Sequence, residues 1–416
     1  MLSLSPPGSF RLCANPAFEG EAARELGRLV SAVRNVSHAF PVLGLLLTGS
    51  FARGEGVIIH DPQGGLRWLS DVECLVVLPN DQRWDWARLK QVLGKAARDA
   101  NKDRKGLSGE IKVELSPILA SRLAAMRPAI FTCELLEHAK LLWGWPAELR
   151  MPSKFKATRD LLCRDALRLL NNRIMEQVAV RLSLENESEL ASQPDVAYAL
   201  SKFWVELGTS LSVFLDCYLT SYQARQATLE NALTSSRTGL DSETVKLLMW
   251  KLAEGMALKR GCVSANQYTT EASFECAADV AARIWWWETG NLLGEGMHDD
   301  GWRNVPVRLR RIDTAAARIR DWGRLVLRTG AVEYLHVAVL GDVLRAGSFG
   351  NAVYAAGCLL CFFWEQIGSG SGPGQRISYV LGRLFGVEGA NGPLTRRLLA
   401  LRALSAWRTH LKSAAA

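Results

Sequence analysis

The chain has 416 residues, of which 48% are hydrophobic and 22% are charged, and its formal net charge is +8. This length suggests two or three domains, and the composition excludes disordered and fibrous proteins. The apolar stretch from Ala352 to Trp364 is shorter than the roughly 20 residues needed to cross a bilayer. The N-terminal sequence, MLSLSPPGSFRL, has no basic start followed by an apolar run, so it predicts no signal peptide. We therefore expect a soluble protein without a membrane partner.

The first 150 residues alternate short apolar runs with helical patterns. The strand-like segments are 41–49, 73–79 and 111–118, and the helix-like segments are 21–36 and 84–101. This alternation predicts an α+β domain with a mixed sheet over residues 1–152.

After Pro152 the strand patterns stop, and amphipathic helical patterns follow one another. They run over 157–184, 194–220, 222–235, 242–258, 271–293, 306–328, 331–346, 350–367, 374–386 and 393–411. This spacing predicts a large all-α helical bundle region. The break HDDGWRNVP (298–306) divides it into predicted domains at 153–297 and 298–416. The stretch GSGSGPG (368–374) follows a helix rather than a strand, so it predicts a flexible loop and not a phosphate cradle.

The cysteines indicate the compartment. There are nine, an odd number spread thinly along the chain, which argues against a disulfide framework. Cys358 and Cys361 have CxxC spacing, but they lie in an apolar run with no second pair near them. That context favours buried thiols in a helix over a metal site. We expect the protein in the cytoplasm or in another reducing compartment.

The net charge is concentrated in the C-terminal third. Residues 301–416 contain 16 Lys and Arg but 6 Asp and Glu, whereas the first 300 residues are nearly balanced. A basic region of this kind would face phosphate, nucleic acid or another acidic partner, or would form a solvated Arg-rich helical surface. The charge by itself does not choose between these.

Chemistry-bearing residues lie in the predicted α+β domain. The first strand runs straight into Gly49-Ser50-Phe51-Ala52-Arg53-Gly54. Glycine at such a junction lets the backbone approach a ligand, and the N–H groups of a following helix attract phosphate. The Ser50 hydroxyl would add one more donor. The motif alone is weak, since many strand–turn–helix junctions contain Gly and Ser.

Three acidic residues strengthen this interpretation. Asp71 and Glu73 open the second predicted strand and, being two apart, project to the same face. Two adjacent carboxylates repel each other unless a counter-ion is present, and Mg²⁺ prefers a few carboxylates plus substrate phosphates. Glu114 lies in the third predicted strand, where it would join them if the strands are neighbours. Three carboxylates can hold two metal ions. Alternatively, all three are solvated surface residues.

The order GSFARGEG, SDVE and then an acid on a later strand resembles the DNA polymerase β-like nucleotidyltransferase superfamily, whose pattern is hG[GS], Dx[DE] and a third acid. The resemblance covers about residues 40–150 and includes ELLEHAKLLWG (134–144). It implies a fold similar to the minimal, kanamycin-type domain with a helical C-terminal region. By this resemblance Gly49 and Ser50 would hold the nucleotide's phosphates. The catalytic metal ligands for Mg²⁺ or Mn²⁺ would be Asp71, Glu73 and Glu114.

Two departures from the family pattern occur. Ser50 and Asp71 are farther apart than in minimal members, and the extra VIIHDPQGGLRW predicts a small hairpin or a loop over the site. The second acid is Glu73 rather than the commoner Asp, which changes its reach but not its charge.

Other residues have two interpretations each. In several relatives a helix behind the catalytic domain supplies a Lys or Tyr to the triphosphate, and Lys202, a lone cation among apolar residues, looks similar. Its alternative is a packed stem with an exposed head. Arg53 is a comparable nucleotide-binding candidate. The run Trp285-Trp286-Trp287 favours core packing over base stacking, because consecutive helical residues point in different directions. The six histidines are scattered and form no zinc pattern.

The resemblance thus implies an enzyme that transfers a nucleotide from an NTP, with ATP favoured, to a hydroxyl acceptor and releases pyrophosphate. A small-molecule acceptor is favoured, because the helical region contains no recognisable RNA-binding module. Nucleic acid bound through the basic C-terminal region, a protein side chain and a second nucleotide stay open as acceptors. The alternative is a non-catalytic nucleotide-binding or assembly protein with the same fold. The oligomeric state is not indicated.

Overall fold

The computed structural model describes residues 5–61, 64–80, 83–101, 110–145, 151–152, 159–185, 193–235, 238–260, 271–295, 301–324, 347–369, 372–385 and 393–415. By its internal contacts the chain divides into two compact units. The first unit comprises Met1–Leu162, Leu219–Ala224 and Met256–Ser264, and the second comprises Cys163–Tyr218, Arg225–Gly255 and Ala265–Ala416. The domain boundaries near residues 152 and 297 stay predictions.

The first unit is built on a small mixed sheet. Its elements are α1 (Glu19–Val36), β1 (Gly44–Thr48), α2 (Gly49–Ala52), β2 (Ile58–His60), β3 (Leu66–Trp68), β4 (Val72–Leu78), α3 (Trp86–Ala100), β5 (Val113–Leu119), α4 (Ala120–Ala124), α5 (Ile130–His138) and β6 (Lys140–Gly144). The strand order is β5-β4-β1-β6. β1 is antiparallel to β4 and β6, whereas β4 and β5 are parallel. The predicted α+β class with a mixed sheet is confirmed.

Alternation along the strands gives each face of the sheet its own core. Leu45 and Cys74 belong to a core that includes residues of α1 and α3. Leu46 and Leu75 belong to a smaller core on the other face, shared with α4 and α5. Side chains two apart on a strand point the same way. Glu73 therefore lies on the α4–α5 face, beyond the end of the smaller core.

The predicted extra segment between Ser50 and Asp71 forms a hairpin. β2 and β3 pair antiparallel, with Ile58 opposite Trp68. The Trp68 ring packs against Phe51, with ring centroids 5.0 Å apart. This contact ties the hairpin to the helical turn that follows β1.

The second unit is helical in all the elements described. They are α6 (Arg159–Glu185), α7 (Gln193–Phe214), α8 (Tyr222–Ser235), α9 (Ser242–Lys259), α10 (Glu271–Leu293), α11 (Val305–Ile312), α12 (Ala315–Arg324), α13 (Phe349–Phe362), α14 (Trp364–Ser369), α15 (Gly372–Phe385) and α16 (Pro393–Ala415), with the starts of α6 and α8 and the end of α9 in the first unit. The predicted helical region is confirmed here, and the predicted helix 331–346 lies outside the described residues. Within the described part of the chain, no helix is both long and apolar enough to cross a bilayer.

Two predictions about this unit concern its core. Trp285, Trp286 and Trp287 are all buried, as predicted, and the Trp285 ring nitrogen donates to Asn171 Oδ1 at 3.0 Å. Cys358 and Cys361 are buried thiols on α13, also as predicted, and burial raises the pKa of Cys361 to about 12.

The loop predicted at residues 368–374 is wrong in its described parts. α14 continues to Ser369, and α15 already begins at Gly372. The reason is Pro373, whose fixed φ angle and missing N–H suit the first turn of a helix. Glycine composition therefore misled the prediction where a proline opened a helix.

Candidate acidic site at the edge of the sheet

The strand register brings two of the predicted acids together. β4 and β5 run parallel with Glu73 and Glu114 as direct partners. Neighbouring strands lie about 4.8 Å apart, and directly paired residues project to the same face. Both carboxylates therefore start from adjacent backbone positions on the α4–α5 face. Glu73 is half-buried and Glu114 is exposed.

Asp71 precedes β4 by one residue and is half-buried. It lies two positions before Glu73 but outside the strand, so the strand register does not fix the direction of its side chain. We call Asp71, Glu73 and Glu114 the acidic edge.

The predicted phosphate turn meets the acidic edge at Gly49. The φ angle of Gly49 is +66°, in the left-handed region that favours glycine. A Cβ atom at this position would lie 2.5 Å from Oε2 of Glu73 and 2.9 Å from its Cδ. Any side chain at position 49 is therefore disfavoured for two reasons. The backbone conformation is strained for other residues, and the Glu73 carboxylate occupies the space. The turn predicted from GSFARG and the acid predicted from SDVE are in direct contact.

The donor set of the acidic edge consists of carboxylate oxygens, which are the ligands of a hard divalent cation. Across the described residues, no group of three or more His, Cys, Asp or Glu side chains is gathered closely enough to hold a metal ion. Mg²⁺ usually takes one or two carboxylates and completes its shell with water and substrate phosphates. Glu73 and Glu114, at directly paired positions of adjacent strands, supply two such carboxylates.

A neighbouring hydroxyl orients Glu114. Ser116 lies two positions along β5, on the same face, and its Oγ donates to Glu114 Oε1 at 3.2 Å. Sequence analysis did not single out Ser116. Its period-two spacing from Glu114 was the available signal.

Arg53 lies in a buried ion-pair network. Its side chain is 5% exposed, and its guanidinium contacts Glu55 Oε2 at 2.9 Å and Glu134 Oε2 at 2.6 Å. The guanidinium carbon lies 4.7 Å from the centre of the Tyr222 ring. Burial lowers the pKa of Arg53, but Tyr222, Glu134 and Glu55 raise it by more. Arg53 thus has two carboxylate partners within the protein, and its predicted contact with a nucleotide stays a prediction.

The same network contains residues that sequence analysis missed. The Tyr222 ring also contacts Lys259, whose Nζ lies 4.1 Å from the ring centre. Two cationic side chains, Arg53 and Lys259, therefore pack against this ring. The backbone N–H of Tyr222 donates to Glu55 Oε1 at 2.8 Å. Lys259 is 4% exposed. We call Arg53, Glu55, Glu134, Tyr222 and Lys259 the Arg53 network.

His138 lies beside this network at the end of α5. Its Nε2 is 2.8 Å from the hydroxyl oxygen of Thr220. Burial lowers the pKa of His138, Glu137, Glu55 and Glu134 oppose this shift, and Arg53 adds to it. The lowered pKa favours the neutral imidazole, which suits a hydrogen bond with a hydroxyl.

Lys202 lies on α7 in the second unit and is half-buried. Its predicted contact with the triphosphate stays a prediction.

Comparison of the chain with protein-family models, curated proteins and solved structures finds no match.

Proposed function

We propose that this chain is a divalent-metal-dependent nucleotidyltransferase that transfers a nucleoside monophosphate from an NTP to a hydroxyl acceptor and releases pyrophosphate. The observation that supports it most is the contact between Gly49 and Glu73, together with the pairing of Glu73 with Glu114. The glycine turn and a pair of acids then share one edge of the sheet.

The chain's own residues have separate roles in this proposal. The backbone N–H groups of Gly49 and Ser50 bind the triphosphate, and the Ser50 hydroxyl donates to a phosphate oxygen. Asp71, Glu73 and Glu114 would hold Mg²⁺ or Mn²⁺, which neutralises charge on the phosphates. Glu114, oriented by Ser116, positions the acceptor hydroxyl. That hydroxyl forms a bond to the α-phosphorus and gives its proton to solvent water, while the bond from the α-phosphorus to the bridging oxygen breaks and pyrophosphate leaves.

We propose ATP as the nucleotide and a small hydroxyl compound, such as an aminoglycoside or a sugar, as the acceptor, in the cytoplasm. The compact helices of the second unit support a small acceptor over nucleic acid. The resemblance of residues 40–150 to the polymerase β-like superfamily is the basis for the reaction type.

The test is a screen of α-labelled NTPs with Mg²⁺ against candidate acceptors, with pyrophosphate release as a second readout. We expect one nucleotide to give a labelled product, and Glu73→Gln to lower its turnover about a hundred- to a thousandfold. Glu110→Gln is the matched control, because Glu110 is an exposed acid three residues before β5. Equal turnover in wild type and Glu73→Gln would contradict the proposal.

The second candidate is a non-catalytic nucleotide-binding or assembly protein. The exposed position of Glu114 and the lack of a gathered three-ligand group in the described residues favour it. Calorimetric titration with ATP and Mg²⁺ separates the two. Binding without turnover against any acceptor, undiminished in Glu114→Gln, would favour this candidate.

A further inference from the structure

The last helix, α16, has two different faces. Its inner face is buried in the second unit through Leu399, Ala400, Ala403, Leu404 and Ala406. Its outer face consists of exposed residues, namely Arg397, Leu398, Leu401, Arg402, Ser405, Arg408 and Leu411. At 100° per residue these seven positions cover about half of the helix circumference, and they extend over about 21 Å of its length. We call this surface the outer face of α16.

The arginines of the outer face are not neutralised within the described structure. Arg397, Arg402 and Arg408 are exposed and form no ion pair with any residue that the structure describes. Neither α15 nor α16 contains an Asp or Glu. The outer face therefore carries a positive charge that calls for an anionic partner.

Arg396, on the same helix, shows the contrast. Its guanidinium pairs with Glu185, lies 3.7 Å from Glu365 and lies 4.9 Å from the centre of the Trp364 ring. Arg396, which packs within the unit, thus has both carboxylate partners and an aromatic ring. The three outer arginines have no such arrangement, so packing within the chain does not explain them.

The exposed leucines of the outer face indicate which class of anionic partner, lipid, nucleic acid or protein, suits this surface. Leu398, Leu401 and Leu411 are 40%, 49% and 37% exposed. Leucine gives little to a phosphate backbone, and it is under-represented at the energetic centres of protein interfaces. A lipid leaflet takes both kinds of side chain, because leucine enters the acyl boundary while arginine extends to the headgroups.

We propose that the outer face of α16 docks on an anionic lipid surface, with the helix parallel to the membrane. The sequence predicted no membrane partner, because no apolar run is long enough to span a bilayer. A helix that lies on the surface does not need such a run. The attraction depends on anionic headgroups and weakens as salt screens them.

The test uses the full chain and co-sedimentation with vesicles of phosphatidylcholine, with or without phosphatidylglycerol. We expect binding to the anionic vesicles, weakened by added NaCl. Each basic residue near an anionic leaflet strengthens binding about fivefold. The triple variant Arg397→Gln, Arg402→Gln, Arg408→Gln should therefore bind about a hundredfold more weakly. The variant Leu398→Ser, Leu401→Ser should also bind more weakly, although its charge is unchanged.

The matched control is Lys90→Gln, Lys95→Gln, Arg98→Gln, which removes the same charge from exposed positions of α3 in the first unit. It should retain nearly full binding. Circular dichroism and thermal melts check that all variants fold, since every substituted residue is exposed. Equal binding to neutral vesicles, equal loss in the control, or no vesicle binding would overturn the proposal. Binding of single-stranded RNA without vesicle binding would overturn it in favour of a nucleic-acid surface.

Discussion

Arg53 in the first unit and Glu288 in the second are both buried ionisable groups, but their surroundings differ. Arg53 has Glu55, Glu134 and the Tyr222 ring around its guanidinium. Glu288 is fully buried on α10, and its pKa is raised to about 8 by burial, with the Ser210 hydroxyl offsetting only part of the shift.

The difference shows two solutions to the same problem. A charge removed from water must be paired, or the group must become neutral. The first unit keeps its charges and fixes them in a network beside the Gly49 turn. The second unit keeps Glu288 protonated at neutral pH. The acidic edge is a third case, because two carboxylates occupy directly paired positions of adjacent strands while Glu114 stays exposed to solvent.

The largest expected effect concerns the acidic edge. If the neighbouring carboxylates of the acidic edge bind a cation, removing the charge of any one of them should lower turnover about a hundred- to a thousandfold. The variants are Asp71→Asn, Glu73→Gln and Glu114→Gln. Asp71→Ala should leave the fold intact or slightly stabilised, because one of the repelling acids is gone. Single-turnover assays and denaturant melts measure the two outcomes. Marked destabilisation by Asp71→Ala would show that the acids are structural.

The next effect concerns the Arg53 network. Arg53→Met leaves Glu55 and Glu134 without their shared cation, and loss of one partner from a buried pair costs about 3–5 kcal/mol. We expect that decrease in the free energy of unfolding from denaturant titration. The double variant Arg53→Met, Glu134→Gln should lose less than the sum of the single variants. A loss below about 1 kcal/mol would show that these ion pairs stabilise the fold no more than solvent-exposed ion pairs do.

The raised pKa of Glu288 predicts that the free energy of unfolding depends on pH. The native carboxyl binds a proton up to about pH 8, whereas the unfolded carboxyl releases it near 4.5. The unfolded state therefore binds fewer protons between these values, so stability falls as pH rises through this window. The unfolding equilibrium constant should rise roughly tenfold for each pH unit. Glu288→Gln should flatten the dependence. An unchanged slope in that variant would assign the effect to other groups.

The smallest effect removes a hydroxyl rather than a charge. In the proposed nucleotide site Ser50→Ala would delete one hydrogen bond to a charged phosphate, worth about 1.5–3 kcal/mol, so NTP affinity should fall about ten- to a hundredfold. Calorimetric titration with a non-hydrolysable NTP measures this loss. Ser9→Ala is the control, because Ser9 is an exposed hydroxyl bonded to its own turn. Undiminished affinity in Ser50→Ala would place the nucleotide elsewhere.

The sequence predicted elements well where the signal is local. The pattern over 73–79 gave β4, and GSFARG gave the turn at Gly49, because side-chain periodicity and glycine conformation depend on neighbouring residues. The juxtaposition of Glu73 with Glu114 was an expectation conditional on strand order, and the parallel pairing of β4 and β5 satisfied it.

Tertiary structure decided which partner each charge received. Arg53 pairs with Glu134, 81 positions away, and Glu55 accepts from the Tyr222 backbone, 167 positions away. Nothing in a local window distinguishes these residues from surface charges. The sequence around Glu288, which follows three tryptophans, likewise does not show that its carboxyl is fully buried. Periodicity is a property of consecutive residues, whereas the electrostatic environment of a side chain is set by whatever segments pack around it.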